Sequence, residues 1–174
     1  MILFTTERML VRYFTKEDME DLFEIFSDPI VMENMEPPYS KEKTAAFLQD
    51  FCVRKKRALA VVYKENDKVI GYTLFSESAN KRVYELGWVF NRKCWNQGLA
   101  YESMQGLFSY AFEKRDAHKL FAETIDEVKS VGLMKKLGMV HEGTQRKHTQ
   151  DSKGVWRDLY VYGYLKEDDK NSLT

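Results

Sequence analysis

Residues 83–101 read Val83-Tyr84-Glu85-Leu86-Gly87-Trp88-Val89-Phe90-Asn91-Arg92-Lys93-Cys94-Trp95-Asn96-Gln97-Gly98-Leu99-Ala100-Tyr101, and the change of period inside this stretch decides the fold. Its first eight residues alternate. Tyr84, Leu86, Trp88 and Phe90 form a continuous apolar face that must be buried, while Val83, Glu85, Gly87 and Val89 share the other, as in a strand. From Gly98 onward Ala100, Met104, Leu107, Phe108, Ala111 and Phe112 recur at helical spacing as far as Arg115. A second strand, Lys119–Thr124, follows. Strand, helix, strand in that order makes a crossover, so the two strands are expected to be parallel neighbours, and ligands favour the ends of such strands.

Residues 58–64 and 69–76 also alternate, and a turn at Glu65-Asn66-Asp67-Lys68 joins them with Val83–Phe90 into an antiparallel meander. Residues 3–13 read as one more alternating stretch. Thr15 with Asp18 three positions on marks a helix start, and Met19, Leu22, Phe23 and Phe26 keep helical spacing until Asp28-Pro29 stops them. After Pro37-Pro38, Ser40 caps a second helix whose buried stripe is Phe47, Leu48, Phe51 and Cys52. Its basic end, Arg54-Lys55-Lys56-Arg57, reads as cations complementing a helix C-terminus. Beyond Thr124, a short helix over 130–137 stops at Gly138, and strands over 139–149 and 155–165 flank a turn at Asp151-Ser152-Lys153-Gly154. No repeat or linker divides the chain. The fold expected is a single α/β domain over residues 1–166, a mixed and mostly antiparallel sheet flanked by helices, with a polar tail over 167–174.

A chain of 174 residues is one ordinary domain, and 27 Lys and Arg against 27 Asp and Glu leave no formal net charge. That balance removes the simplest electrostatic case for nucleic acid or an anionic membrane as partner. Apolar residues at 44 % and aromatics at 14 % are too many for disorder. The longest apolar runs fall short of a bilayer span, and Glu7, Arg8 and Arg12 stand where a signal peptide needs apolar residues, so a cytoplasmic location is expected. Cys52 and Cys94, without a clustered His, make neither a disulfide framework nor a zinc site, and His118, His141 and His148 make no metal set. No metal cofactor is expected.

Gly98 stands where strand hands over to helix. A helix N-terminus offers unpaired N–H groups and the positive end of its dipole, and glycine lets an anion come close to the backbone, so this segment is a candidate phosphate cradle. An ordinary helix start containing glycine would read the same.

Trp95-Asn96-Gln97-Gly98-Leu99-Ala100 resembles the Q/R-x-x-G-x-G/A acetyl-CoA loop of the GNAT N-acetyltransferase superfamily, and four further landmarks resemble its RimJ/RimL-like branch, the ribosomal-protein N-terminal acetyltransferases and their relatives. Thr6-Glu7-Arg8-Met9-Leu10-Val11-Arg12 looks like that branch's T-E-R-L-x-L-R opening, and Glu85-Leu86-Gly87-Trp88-Val89 is similar to its E-L-G-Y strand. Residues 130–139 follow its S-x-x-L-x-x-K-L-G-F pattern, and Gly154-Val155-Trp156-Arg157-Asp158 matches G-x-W-R-D. The resemblance implies a GNAT-like fold in which a splayed parallel strand pair holds acyl-CoA. It implies a pyrophosphate on the N–H groups of Gln97, Gly98, Leu99, Ala100 and Tyr101, with Asn96 in the same loop and Ser130 opposite. The pantetheine arm would then pair like a strand beside Trp88, Val89 and Phe90, and the Val89 N–H is the expected donor to the thioester oxygen. Trp95 and Asn96 depart from the superfamily's Arg or Gln and Gly. Glu127 replaces the Asn of N-x-x-S, and Met134 replaces a tyrosine that protonates the departing thiolate. Ser130, Tyr160, Tyr162, Tyr164 or water are the alternatives for that proton.

Glu85 is the candidate catalytic base, acting through water on the acceptor ammonium; the competing reading is a solvated carboxylate. Ser130 is a second catalytic candidate, or a helix cap. Cys94 without a paired base reads as inert, His118 and His141 as structural or solvated, and Arg92 and Lys93 as facing either a CoA phosphate or water. Trp156, Arg157 and Asp158 read as packing and an ion pair. Met32, Met35 and Tyr39 line an acceptor rim or pack beneath the second helix, and Glu33, Glu36 and Glu142 hint at acidity there. The leading function is an acetyl-CoA-dependent N-acetyltransferase that acylates a primary amine, a peptide N-terminus or small amino compound, directly in a ternary complex, as a monomer or homodimer. An α-amine with a pKa of about 7.7–8.0 is neutral in roughly a tenth of molecules at pH 7, a lysine in fewer than about one in a thousand, which favours the α-amine. The alternatives are an acetyl-CoA-binding sensor or partner-binding protein, and a polyamine or antibiotic N-acetyltransferase.

Overall fold

Short turns between alternating segments bring successive strands side by side, and the one helical crossover sets one pair parallel. In the computed structural model, which describes residues 1–169, the strands are β1 (Ile2–Thr5), β2 (Met9–Tyr13), β3 (Ala58–Tyr63), β4 (Lys68–Glu77), β5 (Val83–Phe90), β6 (Lys119–Thr124), β7 (Val140–Gln150) and β8 (Trp156–Leu165). They form one sheet in the order β1-β2-β3-β4-β5-β6-β8-β7. Only β5 and β6 run parallel; every other neighbouring pair is antiparallel. The helices are α1 (Met19–Phe26), α2 (Lys41–Phe47), α3 (Leu99–Lys114) and α4 (Lys129–Lys136).

The sheet is covered on both faces. Leu59, Val61, Leu86, Phe90 and Leu120 pack with Leu107, Phe108 and Met134 of α3 and α4. Ala58, Ala60, Val62, Tyr72 and Val89 pack on the opposite face with Leu22, Ile25 and Phe26 of α1 and with Leu48. Double coverage explains why five consecutive residues of β3, from Ala58 to Val62, are buried although strands usually alternate.

The expected elements are present with three physical differences. Residues 3–13 are two strands, because the chain turns at Thr6-Glu7-Arg8, closed by the Thr6 N–H on the Met9 carbonyl at 2.9 Å. The second helix starts as read, with the Ser40 hydroxyl accepting from the Lys43 N–H at 3.1 Å, and then widens into π-helical turns over Leu48–Arg54. The widening shifts its buried positions to Thr44, Leu48 and Cys52, and Phe47 and Phe51 stack on each other at 5.1 Å, half-buried. Trp88 is likewise half-buried, at a point where its strand loses a neighbour. At the C-terminus Lys166–Asp168 form a single 3-10 turn, and the remainder of the expected tail, 170–174, lies outside the described residues. No described helix is long and apolar enough to cross a membrane.

Two polar groups in the interior contrast. Asp18, 6 % exposed, accepts two bonds from the Arg12 guanidinium at 2.8 Å each and one from the Thr15 N–H, so the charge is paired and its oxygens are used. The Thr73 hydroxyl, 1 % exposed, has no partner among the described residues and faces an apolar gap lined by Val11, Leu59, Val61 and Leu107, too small for a water molecule. An unmet buried hydroxyl costs free energy that an isosteric methyl does not. Thr73→Val should therefore stabilise the protein by about 1 kcal/mol, a rise of roughly 2–4 °C in Tm. Urea and thermal unfolding check this, and a destabilised variant would contradict it.

Candidate active site

β5 keeps both neighbours for only half its length. Its pairing with β6 runs from Val83–Lys119 to Leu86–Ala122 and stops, while its pairing with β4 continues to Phe90. The strands part because β4 holds β5 straight. β6 meanwhile stays on β8 as far as Thr124 and then turns away, the Thr124 hydroxyl accepting from the Asp126 N–H at 3.0 Å. A wedge opens between Gly87–Phe90 and the end of β6.

The direction of the backbone groups lining that wedge follows from the ladder. The Ser78 N–H bonds the Val83 carbonyl and the Asn91 N–H bonds the Ile70 carbonyl, each at 2.8 Å. Bonding alternates along an antiparallel strand, so Val83, Glu85, Gly87 and Val89 turn their N–H and C=O groups to β4, and Trp88 and Phe90 turn theirs into the gap. The Val89 N–H is therefore committed to β4, and the expected oxyanion-donor role does not fit it. The donors open to the wedge are those of Trp88 and Phe90. The Phe90 carbonyl takes the Trp95 indole N–H at 2.9 Å, which gives the departure at Trp95 a structural role.

The loop from Trp95 to α3 curls through left-handed backbone at Asn96, φ +59°, and at Gly98, φ +75°. Asn tolerates this geometry better than most side chains, and Gly adopts it freely. Among the described residues no acceptor meets the backbone N–H groups of Gln97, Gly98, Leu99, Ala100 or Tyr101; the helical ladder begins with the Glu102 N–H on the Gly98 carbonyl at 3.0 Å. Five unsatisfied donors at the positive end of a 16-residue helix fit a diphosphate, and the open edge of β5 beside them fits an amide-bearing arm.

The cations around this cradle are not those the sequence suggested. Arg92 pairs with Asp28 at 2.9 Å and Lys93 with Glu24 at 2.6 Å, both tying the turn after β5 to α1 and its end. Instead Lys129 lies over the Trp95 ring and Lys136 over Tyr101, each 4.2 Å from the ring centroid, which brings two ammonium groups of α4 against the cradle side chains. Lys136 had a signal in the K-L-G pattern, whereas Lys129 had none.

Just before the wedge opens, Glu85 lies on β5, half-buried on the face shared with Gly87 and Val89 and opposite Phe121 in register. It has neither hydrogen bond nor ion pair among the described residues. Burial pushes its pKa up, Glu123 pushes the same way, and Arg57 opposes them. Ser130 is half-buried in the first turn of α4 and does not cap it. Asp126 performs the capping, its carboxylate accepting from the N–H groups of Val128 and Lys129 at 2.9 Å each. The Ser130 hydroxyl has no protein partner among the described residues.

The tyrosines fall into separate roles. Tyr162 is buried in the core with Met134, and Tyr164 packs on Phe108 at 5.0 Å. The Tyr160 hydroxyl donates to Glu127, whose carboxylate pushes the phenol up to about 12 and makes it a weaker acid. Burial raises the Cys94 thiol as well, leaving it protonated and unreactive.

Beyond the wedge, Met32 and Tyr39 are buried in the second core, whereas Met35 is 40 % exposed. Of the acidic residues read at the acceptor rim, Glu36 takes the Tyr39 hydroxyl and the Lys43 ammonium, and Glu142 pairs at 2.7 Å with Lys119, at the end of the β5–β6 pair away from the wedge. The β7–β8 turn reaches the same segment, the Ser152 N–H bonding the Glu33 carbonyl at 3.2 Å. Arg157 pairs with Asp151 at 2.9 Å and Asp158 accepts the Lys147 N–H, but Trp156 is 54 % exposed and does not pack as expected.

The model of the acetyltransferase (GNAT) domain matches residues 8–140. The chain is similar to the uncharacterized N-acetyltransferase YnaD of Bacillus subtilis, 32 % identical over 166 residues that cover 94 % of this chain and 97 % of that protein. It is similar to the crystal structure of a GNAT-family acetyltransferase from Bacillus anthracis, at 30 % identity and a TM-score of 0.86, covering 94 % of this chain and 98 % of that one. The ribosomal-protein-S5-alanine acetyltransferase of Vibrio fischeri shares the fold, with a TM-score of 0.80 at 19 % identity over 96 % of this chain and 98 % of the other. The split strand pair, the open helix N-terminus and these matches together make the chain an acyltransferase of the GNAT acetyltransferase family.

Proposed function

We propose that the protein transfers the acetyl group of acetyl-CoA directly to a primary amine in a ternary complex. The observation that carries this reading is the coincidence, on one side of α3, of five unsatisfied N–H donors with a strand edge whose Trp88 and Phe90 groups open into a wedge. Acetyl-CoA supplies an activated acyl group, which passes to the amine nitrogen as the C–S bond breaks. Gln97, Gly98, Leu99, Ala100 and Tyr101 hold the pyrophosphate by backbone N–H, with Asn96 shaping the loop and the ammonium groups of Lys129 and Lys136 adding charge. Trp88 and Phe90 pair with the pantetheine arm and offer N–H groups to the thioester oxygen; Val89 forms the floor of the wedge by packing alone.

Through water, Glu85 takes a proton from the acceptor ammonium, and the neutral amine that results attacks the thioester carbonyl. The half-burial of Glu85 suits that task, since a carboxylate raised toward neutrality is a stronger base than an exposed one. The proton for the departing thiolate comes from the unpartnered Ser130 hydroxyl or from water, because Met134 has no proton to give and Tyr160 is held by Glu127. A site with one carboxylate favours an α-amine over a lysine, in keeping with a peptide N-terminus or small amino compound as acceptor. The engagement of Glu36 by Lys43 and of Glu142 by Lys119 weighs against polycationic acceptors. The T-E-R, E-L-G and G-x-W-R-D landmarks support the RimJ/RimL-like branch, and we assign the transferase unit to residues 1–166.

Two outcomes test this. Gly98→Trp forces a bulky side chain into left-handed backbone at the cradle, and should weaken acetyl-CoA binding by at least about tenfold in calorimetry; unchanged affinity sinks the cradle. Glu85→Gln should lower kcat/KM by roughly 10²–10⁴. In the wild type, protonating Glu85 removes the base, so activity falls as pH drops through its pKa, at a pH above that of an ordinary glutamate. The variant should lose this acidic limb, and a profile that keeps it removes Glu85 from the mechanism. Thiol release across amine and N-terminal peptide libraries identifies the acceptor, and a protein that binds acetyl-CoA but releases no thiol above hydrolysis would be the sensor instead.

A further inference from the structure

The turn that separates β1 from β2 reaches the cradle. The Arg8 guanidinium donates through Nη1 to the Gln97 carbonyl at 3.0 Å and through Nε to Glu102 Oε2 at 2.7 Å. The other oxygen of Glu102 accepts the Arg8 backbone N–H at 2.8 Å and the Thr6 hydroxyl at 2.6 Å. Thus three groups of Thr6-Glu7-Arg8, a motif the transfer chemistry does not use, converge on the first turn of α3. We infer that Arg8 is a positioning residue for the phosphate cradle: it fixes the Gln97–Gly98 peptide with its N–H facing the pyrophosphate and neutralises Glu102 beside it. The inference rests on the acetyl-CoA reading of the site.

The argument for the peptide is geometric. A trans peptide carries its C=O and N–H on opposite sides, and no peptide bond here is cis. Holding the Gln97 oxygen toward Arg8 therefore turns the Gly98 N–H the other way, into the cradle. This is the peptide of the loop that most needs holding. Rotating it changes φ of Gly98, and glycine populates both signs of φ with little preference, so an untethered loop would also present the carbonyl to the anion. The guanidinium is close enough for the task, since a Cβ on Gly98 would stand 3.6 Å from Arg8 Nη2.

The argument for Glu102 is electrostatic. A carboxylate in the first turn of a helix suits the dipole but repels a diphosphate bound at the same end. Partial burial alone would raise the Glu102 carboxyl, yet the bonds from Thr6 and Arg8 outweigh it and hold the group below the ordinary range, so it stays ionised. Its charge is met by one cation, Arg8, in the side-chain ion pairs of the described residues.

The inference separates from the parent reading by comparing donors with and without a pyrophosphate. Acetyl-CoA carries one and S-acetylpantetheine does not. Arg8→Ala should weaken acetyl-CoA binding in calorimetry by about tenfold or more and raise its KM, with the acceptor KM, kcat at saturation and kcat/KM for S-acetylpantetheine unchanged. Arg8→Lys keeps the charge without the planar fork and should recover only part of the loss. Adding Glu102→Gln to Arg8→Ala should also recover part, by removing the carboxylate left bare. Equal losses for both donors, or Arg8→Ala binding acetyl-CoA as the wild type does, overturn the inference. If Arg8→Ala melts far below the wild type, Arg8→Lys decides by the same donor comparison. Failure of the wild type itself to bind acetyl-CoA overturns the parent reading and this inference with it.

Discussion

Backbone N–H and C=O groups in a folded chain must be hydrogen-bonded, and β5 beyond Leu86 has its groups met on one side only. Much of the rest of the molecule is arranged around that deficit. β4 holds the strand straight through Phe90, the Trp95 indole closes the last carbonyl, and α3 begins a few residues later with its own donors unmet. Two incomplete structures, an edge and a helix end, adjoin because a single short turn joins them. A ligand that is both strand-like and anionic completes them together.

Most of the fold was legible because its signals are local. The period change between Phe90 and Ala100, the cap at Ser40 and the stop at Gly138 each operate over a few residues, and Lys119–Thr124 falls where alternation put it. The failures have a common character: they depend on contacts far along the chain. Residues 3–13 alternate well enough for one strand, and the turn at Thr6-Glu7-Arg8, closed by the Thr6 N–H on the Met9 carbonyl, is also held by Glu102, more than ninety positions away. The second helix changes pitch after Phe47, a choice its composition does not announce. Trp88 belongs to an apolar face by period, yet is half-buried, whereas Phe90 on the same face is buried.

The site was legible to the same degree. Resemblance pointed to the loop and the strand edge, and alternation to Glu85 as a candidate base, but the orientation of backbone groups is invisible in a list of side chains, so the donor expected of Val89 is one that the ladder spends on β4. Arg92 and Lys93 show the parallel limit for charge. Their position beside the loop left phosphate and water both open, whereas Asp28 and Glu24 engage them, and the cations that do approach the cradle come from α4. Zero net charge does not argue against an anionic ligand at a helix N-terminus, where peptide dipoles that formal counting omits supply positive potential.

The clamp from Thr6 and Arg8 to Glu102 also bears on the entropy of folding. Contacts between residues 94 and 96 positions apart close a far longer loop than a hairpin such as β3–β4 does, at a larger entropic cost. The start of α3 is thus held in place by the first residues of the chain, more than ninety positions away in sequence.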